Sequence, residues 1–426
     1  MRKLSVFLLF CFLIMPFCLY AADEDENEEE ETSEEVVRYE DPFKDAPKKP
    51  EIIQSRAFEI GFNINPFFSN NFISIPDVFR ETIKINMEDL ANNGFILDFG
   101  AGIRPFYFMV DSHKGWGFGL STDIEVFGIV DLNKVMLSLD EADGEDSVVG
   151  GSVFISAGID TFFHIKKFKV KLRPALFYSA AFLKTDVTYT FLNTDEGTEL
   201  YIDYEGRLYT AFPMNDIQPN ALTGTPGLDF SIGFEYPLSK EVGISSSVFD
   251  FDVGVDFINI PIFSSTLNNF RSYKGRIGGE KPINILDDNG MGDLFSSFTD
   301  FEPEEKDEEG TYKVERPFKM LMHANWRPGG KQSFTVIPVF GFAYNKIFLD
   351  PFGVEAGINL RLSAANMIII LLGTNYSDRA WNNSLDFALN FKAFEINIGA
   401  KMRSRDLIKS WTGHGVGVNL GLKLGL

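Results

Sequence analysis

The residues best equipped for chemistry are few and scattered. The chain has four histidines, His113, His164, His323 and His414. His113 follows Asp111 and Ser112 in DSHKGW, and His414 sits in WTGHG. A histidine beside serine or a carboxylate can serve hydrolysis, but active sites converge in space, not along the chain. GxSxG, HExxH, Walker and dinucleotide glycine patterns are absent from the sequence. Asp250, Asp252 and Asp256 in FDFDVGVDF share one strand face and could hold a cation. The plainer reading solvates them or pairs them with Lys169, Lys171 and Arg173. DDNGMGD (Asp287–Asp293) has the acidic, glycine-rich composition of calcium loops without the EF-hand ligand spacing. We therefore expect no catalytic residues, no metal site and no cofactor.

What must position side chains in this chain is a long series of strands. From Val416 the residues alternate: Val416, Val418, Leu420, Leu422, Leu424 and Leu426 on one side, Gly417, Asn419, Gly421, Lys423 and Gly425 on the other. Strand side chains alternate with period two, so this segment has one wholly apolar face and one small, polar face. The pattern recurs from Phe58 onward, through Phe95–Ile103, Trp116–Gly128, Gly151–Phe163, Phe168–Tyr178, Val187–Phe191, Leu200–Phe212, Leu228–Tyr236 and Glu241–Ile262. It continues through Phe318–Trp326, Ser333–Tyr344, Phe352–Leu362, Asn366–Tyr376, Leu385–Phe391 and Phe394–Met402. With 44 phenylalanines and a mean hydropathy of only −0.03, apolar and polar residues are interleaved rather than segregated.

These features predict an all-β, membrane-spanning, antiparallel up-and-down barrel of about 14–16 strands over residues 55–426. Aromatics at segment ends (Trp116, Tyr178, Tyr236, Trp326, Tyr344, Tyr376, Trp381 and Trp411) fit interfacial girdles. A cation facing lipid at mid-membrane costs ~2–4 kcal/mol, so a spanning strand turns Lys169, Lys171 and Arg173 to the lumen. The acidic candidates for the lumen are Glu59, Asp98, Asp123, Glu125, Asp160, Asp229 and Glu235. A formal net charge of −22 argues against nucleic acid as a partner.

Two segments precede the barrel. Residues 1–22 read as a secretory signal, with Arg2 and Lys3 before an apolar run and Ala21-Ala22 at its end. Both cysteines, Cys11 and Cys18, lie in it. Residues 23–54 form an acidic tail, expected to be disordered and periplasmic: ten of the thirteen residues Asp23–Glu35 are acidic. Two departures from strand texture lie inside the barrel region. Asp77–Asn92 spaces Phe79, Ile83, Met87 and Leu90 at helical intervals, and Asp131–Leu139 is a shorter helical candidate. One or two short helices are thus expected in the lumen or at its mouth, with those four residues as plug or gate. Phe263–Tyr312 shows no strand alternation and is expected to be a long loop.

Gly421, Leu424 and Leu426 resemble the terminal assembly signal of bacterial outer-membrane barrels, with Leu426 where an aromatic is usual. Residues 55–426 as a whole resemble such barrels in pattern. The early amphipathic helix and long central loop look like FadL-type barrels, which pass hydrophobic compounds, and like spirochaetal outer-membrane barrels. The resemblance implies a place in the cell outer membrane, contact with its lipid, handling by the barrel-assembly machinery, and a hatch here assigned to Phe67–Asn92. Three functions follow as expectations. The first is a partly plugged channel or transporter for small, possibly hydrophobic, solutes. The second is an open porin whose acidic lumen favours cations. The third is a structural or adhesive barrel presenting the 263–312 loop.

Overall fold

In a computed structural model the described residues are 56–71, 74, 95–112, 115–132, 144–165, 168–194, 197–211, 223–238, 250–277, 304–328, 333–348, 350–364, 367–391 and 393–425. They form seventeen strands: β1 (Phe58–Asn70), β2 (Phe95–Asp111), β3 (Trp116–Leu132), β4 (Gly144–Ile165), β5 (Phe168–Thr194), β6 (Gly197–Thr210), β7 (Gly227–Tyr236), β8 (Asp250–Phe263), β9 (Ser265–Ile277), β10 (Glu304–Val314), β11 (Phe318–Arg327), β12 (Phe334–Tyr344), β13 (Phe352–Ala364), β14 (Ile368–Ser377), β15 (Ala380–Asn390), β16 (Phe394–Ser404) and β17 (Gly415–Gly425). Every pairing between them is antiparallel.

Fourteen of these strands close a barrel. The ring runs β1 to β5, then β7, β8, β11 and on to β17, and closes where Glu59 meets Gly425 and Phe68 meets Val416. The other three strands are upward continuations. β5 carries on past β7 to pair with β6, β6 with β9, and β9 with β10. β6 and β7 thus act as one interrupted strand, as do β8 with β9 and β10 with β11. The described flanks of the breaks fall at one height: Ala211 and 223–226, Ser264, and Glu315–Pro317. Polar side chains stitch this seam: Ser265 Oγ accepts from Ser179 N–H at 3.1 Å, and Ser264 Oγ donates to Glu315 at 3.0 Å. Asn259, at φ 57°, bends β8 just before it, and its amide donates to the Pro317 carbonyl at 3.0 Å. Asparagine is among the few residues that visit left-handed backbone readily.

The wall therefore has two heights. β12 to β17 hold 10 to 13 residues each, close to the ~9–11 a tilted strand needs to cross a bilayer. β5 has 27, which lifts it roughly 50 Å of strand length beyond that minimum at ~3.3 Å per residue. The stretch Phe263–Tyr312, expected to be a loop, contributes β9 and β10 to this raised sheet. Its alternation is hidden because its residues are polar on both faces, as in NNFRSYKGR and EEKDEEG. A strand that rises clear of lipid has no apolar face to declare.

The outward face of the ring is largely apolar. Phe58, Phe62, Phe99, Leu120, Ile155, Phe340, Ile358, Leu385, Ile398 and Leu420 are all exposed there. Aromatics border it in two bands. Phe168 with Tyr236 and Phe251 with Trp326 mark the end where β1 begins and β17 ends, here the near end. Tyr344 with Phe352 and Tyr376 with Trp381 mark the far end. Tyr178, also read as a girdle residue, donates its hydroxyl to the Thr223 carbonyl at the seam.

Several helical and terminal expectations meet the limits of the described residues. Phe79, Ile83, Met87 and Leu90 lie outside them, as do Leu426, His113, Asp287–Asp293 and residues 1–55. Asp131 and Leu132, the start of the second helical candidate, extend β3. Phe67–Asn70, the start of the supposed hatch, are wall residues of β1.

Candidate functional site

Side chains opposite the apolar belt line the lumen. All ten charged candidates stand on this inward face. Glu59 pairs with Arg56 (2.8 Å), Asp98 with Arg403 (2.7 Å) and Ser69, and Asp123 with Arg104 (2.7 Å) and Arg173. Asp160 pairs with Arg173 (3.2 Å) and accepts from Ser121 (2.6 Å), while Glu235 serves both Lys171 and Lys169. Glu125 and Asp229 meet on Arg316. The aspartates of FDFDVGVDF do not pair with Lys169, Lys171 or Arg173. Asp250 and Asp252 take Arg327, and Asp256 takes His323 at 3.3 Å.

Across the far half of the lumen lies an apolar cluster. Its wall members are Ile129 of β3, Phe154 of β4, Phe177 and Phe182 of β5, Leu267 of β9 and Val314 of β10, all buried. Two further members, Ile347 and Phe348, come from the connection between β12 and β13. That connection belongs to the opposite side of the ring, yet the Phe348 ring packs 5.8 Å from that of Phe127 on β3. Phe127 in turn lies 6.4 Å from Phe67 on β1. Residues 345–348 thus reach over the lumen and seat two apolar side chains on the far wall.

Local sequence explains how so short a connection holds this shape. Asn345 Oδ1 accepts the Ile347 N–H at 3.1 Å, the side-chain turn asparagine favours. The Asn345 N–H donates to the Pro351 carbonyl at 2.8 Å, closing the loop's base. Lys346 donates to Glu315 at the seam, 2.9 Å away. This hydrogen bond holds the Glu315 carboxyl below its ordinary range and raises Lys346 above its own. On the opposite side the Arg379 guanidinium stacks 4.7 Å from the Phe348 ring centre and donates to the carbonyls of Asp350 and Phe352. Arg379 and Asp378 form a two-residue turn with positive φ at both positions (61° and 47°), unusual for residues of this bulk. Lys319 holds that turn, donating to Asp378 at 3.0 Å.

One glycine is required by the seating. A Cβ on Gly150 of β4 would stand 2.8 Å from Ile347 Cγ2, inside contact distance. Beneath the cluster sits a buried charge layer. Arg316, at the break between β10 and β11, turns inward to Asp229 at 3.1 Å and to Glu125. On the other side Arg403 binds Asp98 and Asn382, and its guanidinium lies 4.7 Å from the Phe67 ring.

Sequence reasoning sought the plug in Asp77–Asn92 and passed over 345–351. A signal was present: KIFLD places three apolar residues inside a turn between two strands, where turn chemistry calls for polar ones. Gly150, Arg316 and Arg379 carry no comparable local mark.

The fold has likenesses among solved structures. The TodX deltaS2S3 mutant monoaromatic hydrocarbon channel overlaps at 10% identity and a TM-score of 0.46, over 88% of this chain and 91% of that one. A Pseudomonas aeruginosa FadL homologue overlaps at 8% and 0.44, over 88% and 91%. The P. putida toluene transporter TodX overlaps at 9% and 0.43, over 88% and 91%. No protein-family model and no curated protein matches the sequence.

Proposed function

We propose that this chain is an outer-membrane channel for small hydrophobic solutes, closed at rest by Ile347 and Phe348. The apolar outer belt between two aromatic bands supports a bilayer-spanning barrel, since a lipid-exposed structure must close its hydrogen bonds in a helix or a sealed sheet. The near end would then face the periplasm and the raised sheet the exterior.

The observation that carries the reading is the burial of Ile347 and Phe348 on the opposite luminal wall. Burying such side chains is worth ~1.5–3 kcal/mol each before the loop's ordering cost is subtracted. That leaves a closed state of modest depth, which thermal opening can reach. Opening uncovers Phe127, Ile129, Phe154 and Phe177, an apolar patch just inside the far mouth. A hydrophobic solute occupying it would replace the contacts of Ile347 and Phe348, so binding and opening are coupled.

Single-channel conductance of the full chain in planar bilayers tests this. The wild type is expected to be silent and I347G/F348G to open in steady steps. Large steady steps from the wild type, or silence from folded I347G/F348G, would overturn the gate.

A further inference from the structure

The near half of the lumen differs in chemistry from the gate. We propose that it is a binding chamber for small oxyanions, of which inorganic phosphate is the simplest, and that it passes anions in preference to cations. A cavity of about 460 Å³ lies there against β2, β4, β5, β7 and β8, its polar lining including Arg104, Tyr107, Asp160, Lys169, Lys171 and Arg173.

Cations and carboxylates are nearly matched in number around this cavity, but they are layered. The side chains of Arg104, Lys169 and Lys171 are 42%, 36% and 42% exposed. The carboxylates around these three are more covered: Asp123 is 12%, Glu235 23%, Asp160 24% and Asp256 28% exposed, while Arg173 and His323, the partners of Asp160 and Asp256, lie deeper at 17% and 15%. At the neighbouring mouth Lys423, 42% exposed, stands over Glu59 and Glu395 at 16% and 17%, with Arg56 beneath them at 6%. Reach explains the layering. Asp and Glu are short and stay on the wall, while Lys and Arg extend over them and keep their heads in water. Glu125, 40% exposed, stands beyond this layer toward the far end, beside Arg316.

An ion entering the chamber therefore meets ammonium and guanidinium groups first, with the negative charge several ångströms behind them. Coulomb attraction falls with distance, so the front layer dominates. A ring of Lys and Arg is the arrangement that selects anions and phosphate in pores. Glu235 is also shared among Lys169, Lys171 and His323, which leaves those ammonium groups donors to spare. The preference is opposite to the one a net charge of −22 suggests.

Titration of the full chain in detergent with inorganic phosphate at constant ionic strength tests the chamber without involving the gate. Saturable binding is expected, weakened roughly tenfold or more in K169Q/K171Q and kept in K169R/K171R. Absence of saturation, or equal binding by the glutamine variant, overturns the proposal. A second arm rests on the gate reading. In a potassium chloride gradient I347G/F348G is expected to reverse toward the chloride potential. Reversal toward potassium defeats the anion preference and leaves the gate standing. Silence defeats the gate and leaves the titration to decide the chamber.

Discussion

The two sides of this barrel solve one problem differently. β12 to β17 make a low wall whose luminal face mixes amide pairs with charges such as Glu355, Asp386, Glu395, Arg403 and Lys423. Asn359 and Asn375 exchange hydrogen bonds at 2.8 and 3.2 Å, and Asn63, Asn419 and Asp386 form a chain at 2.8 and 2.9 Å. β2 to β5, β7, β8 and β11 make the other side, largely lined by ion pairs and rising into the far sheet. Amides are self-complementary, so an amide pair satisfies itself through neighbouring strands. Charges need partners of opposite sign, recruited from further off: Arg316 reaches both β3 and β7, and Arg403 of β16 reaches Asp98 of β2. An amide pair can be altered locally, and a shared buried charge cannot.

The sharpest break of that comparison is Arg316→Ala. It leaves Asp229, which is buried, without its cation, and removing one partner of a buried pair costs ~3–5 kcal/mol. The heat-induced gel-mobility transition should fall markedly. On the low wall Asn359→Ala should cost only ~1 kcal/mol, because one neutral hydrogen-bonded pair is lost beside water. Equal losses from the two would erase the distinction between the walls.

Next is Gly150→Phe, placed on the tall wall but acting on a loop of the low one. It fills the seat of Ile347 while leaving the ladder of β4 intact. We expect conductance resembling that of I347G/F348G with little change in barrel stability, read in planar bilayers and by thermal melting.

The smallest effect belongs to the Lys346–Glu315 tether. The Glu315 pKa is lowered in the fold by the Lys346 hydrogen bond, so its stabilisation is present above the unfolded value and lost as pH falls through the lower folded one. Lys346 is raised, so its share is present at and below its ordinary pKa and lost only as pH rises through the higher folded value. The tether should hold across neutral pH. Glu315→Gln, worth at most ~1 kcal/mol for so exposed a pair, should raise the frequency of brief openings at neutral pH without changing step size. A change in step size would place Glu315 in the conducting path instead.

The low wall was the more legible side because lipid contact forces a strict alternation on strands of minimal length. Phe352–Leu362 and Phe394–Met402 in sequence match β13 and β16 within two residues at either end. Above the membrane that constraint lapses, and β9 and β10 are unreadable for that reason. Alternation reads the ten charges as facing away from the apolar side, but it says nothing of their partners: Arg316 lies 191 positions from Glu125 and Arg403 lies 305 from Asp98.

Alternation is a property of one strand, so the residues alone determined that this chain is a barrel, which side of each strand is apolar, and that its lumen is charged. Closure of β1 on β17, the merging of six segments into three tall strands, and the seating of Ile347 and Phe348 were decided only in three dimensions. Each depends on which wall stands opposite which, and in a ring of fourteen strands that is set by hydrogen-bond register around the whole circumference rather than by any local run of residues.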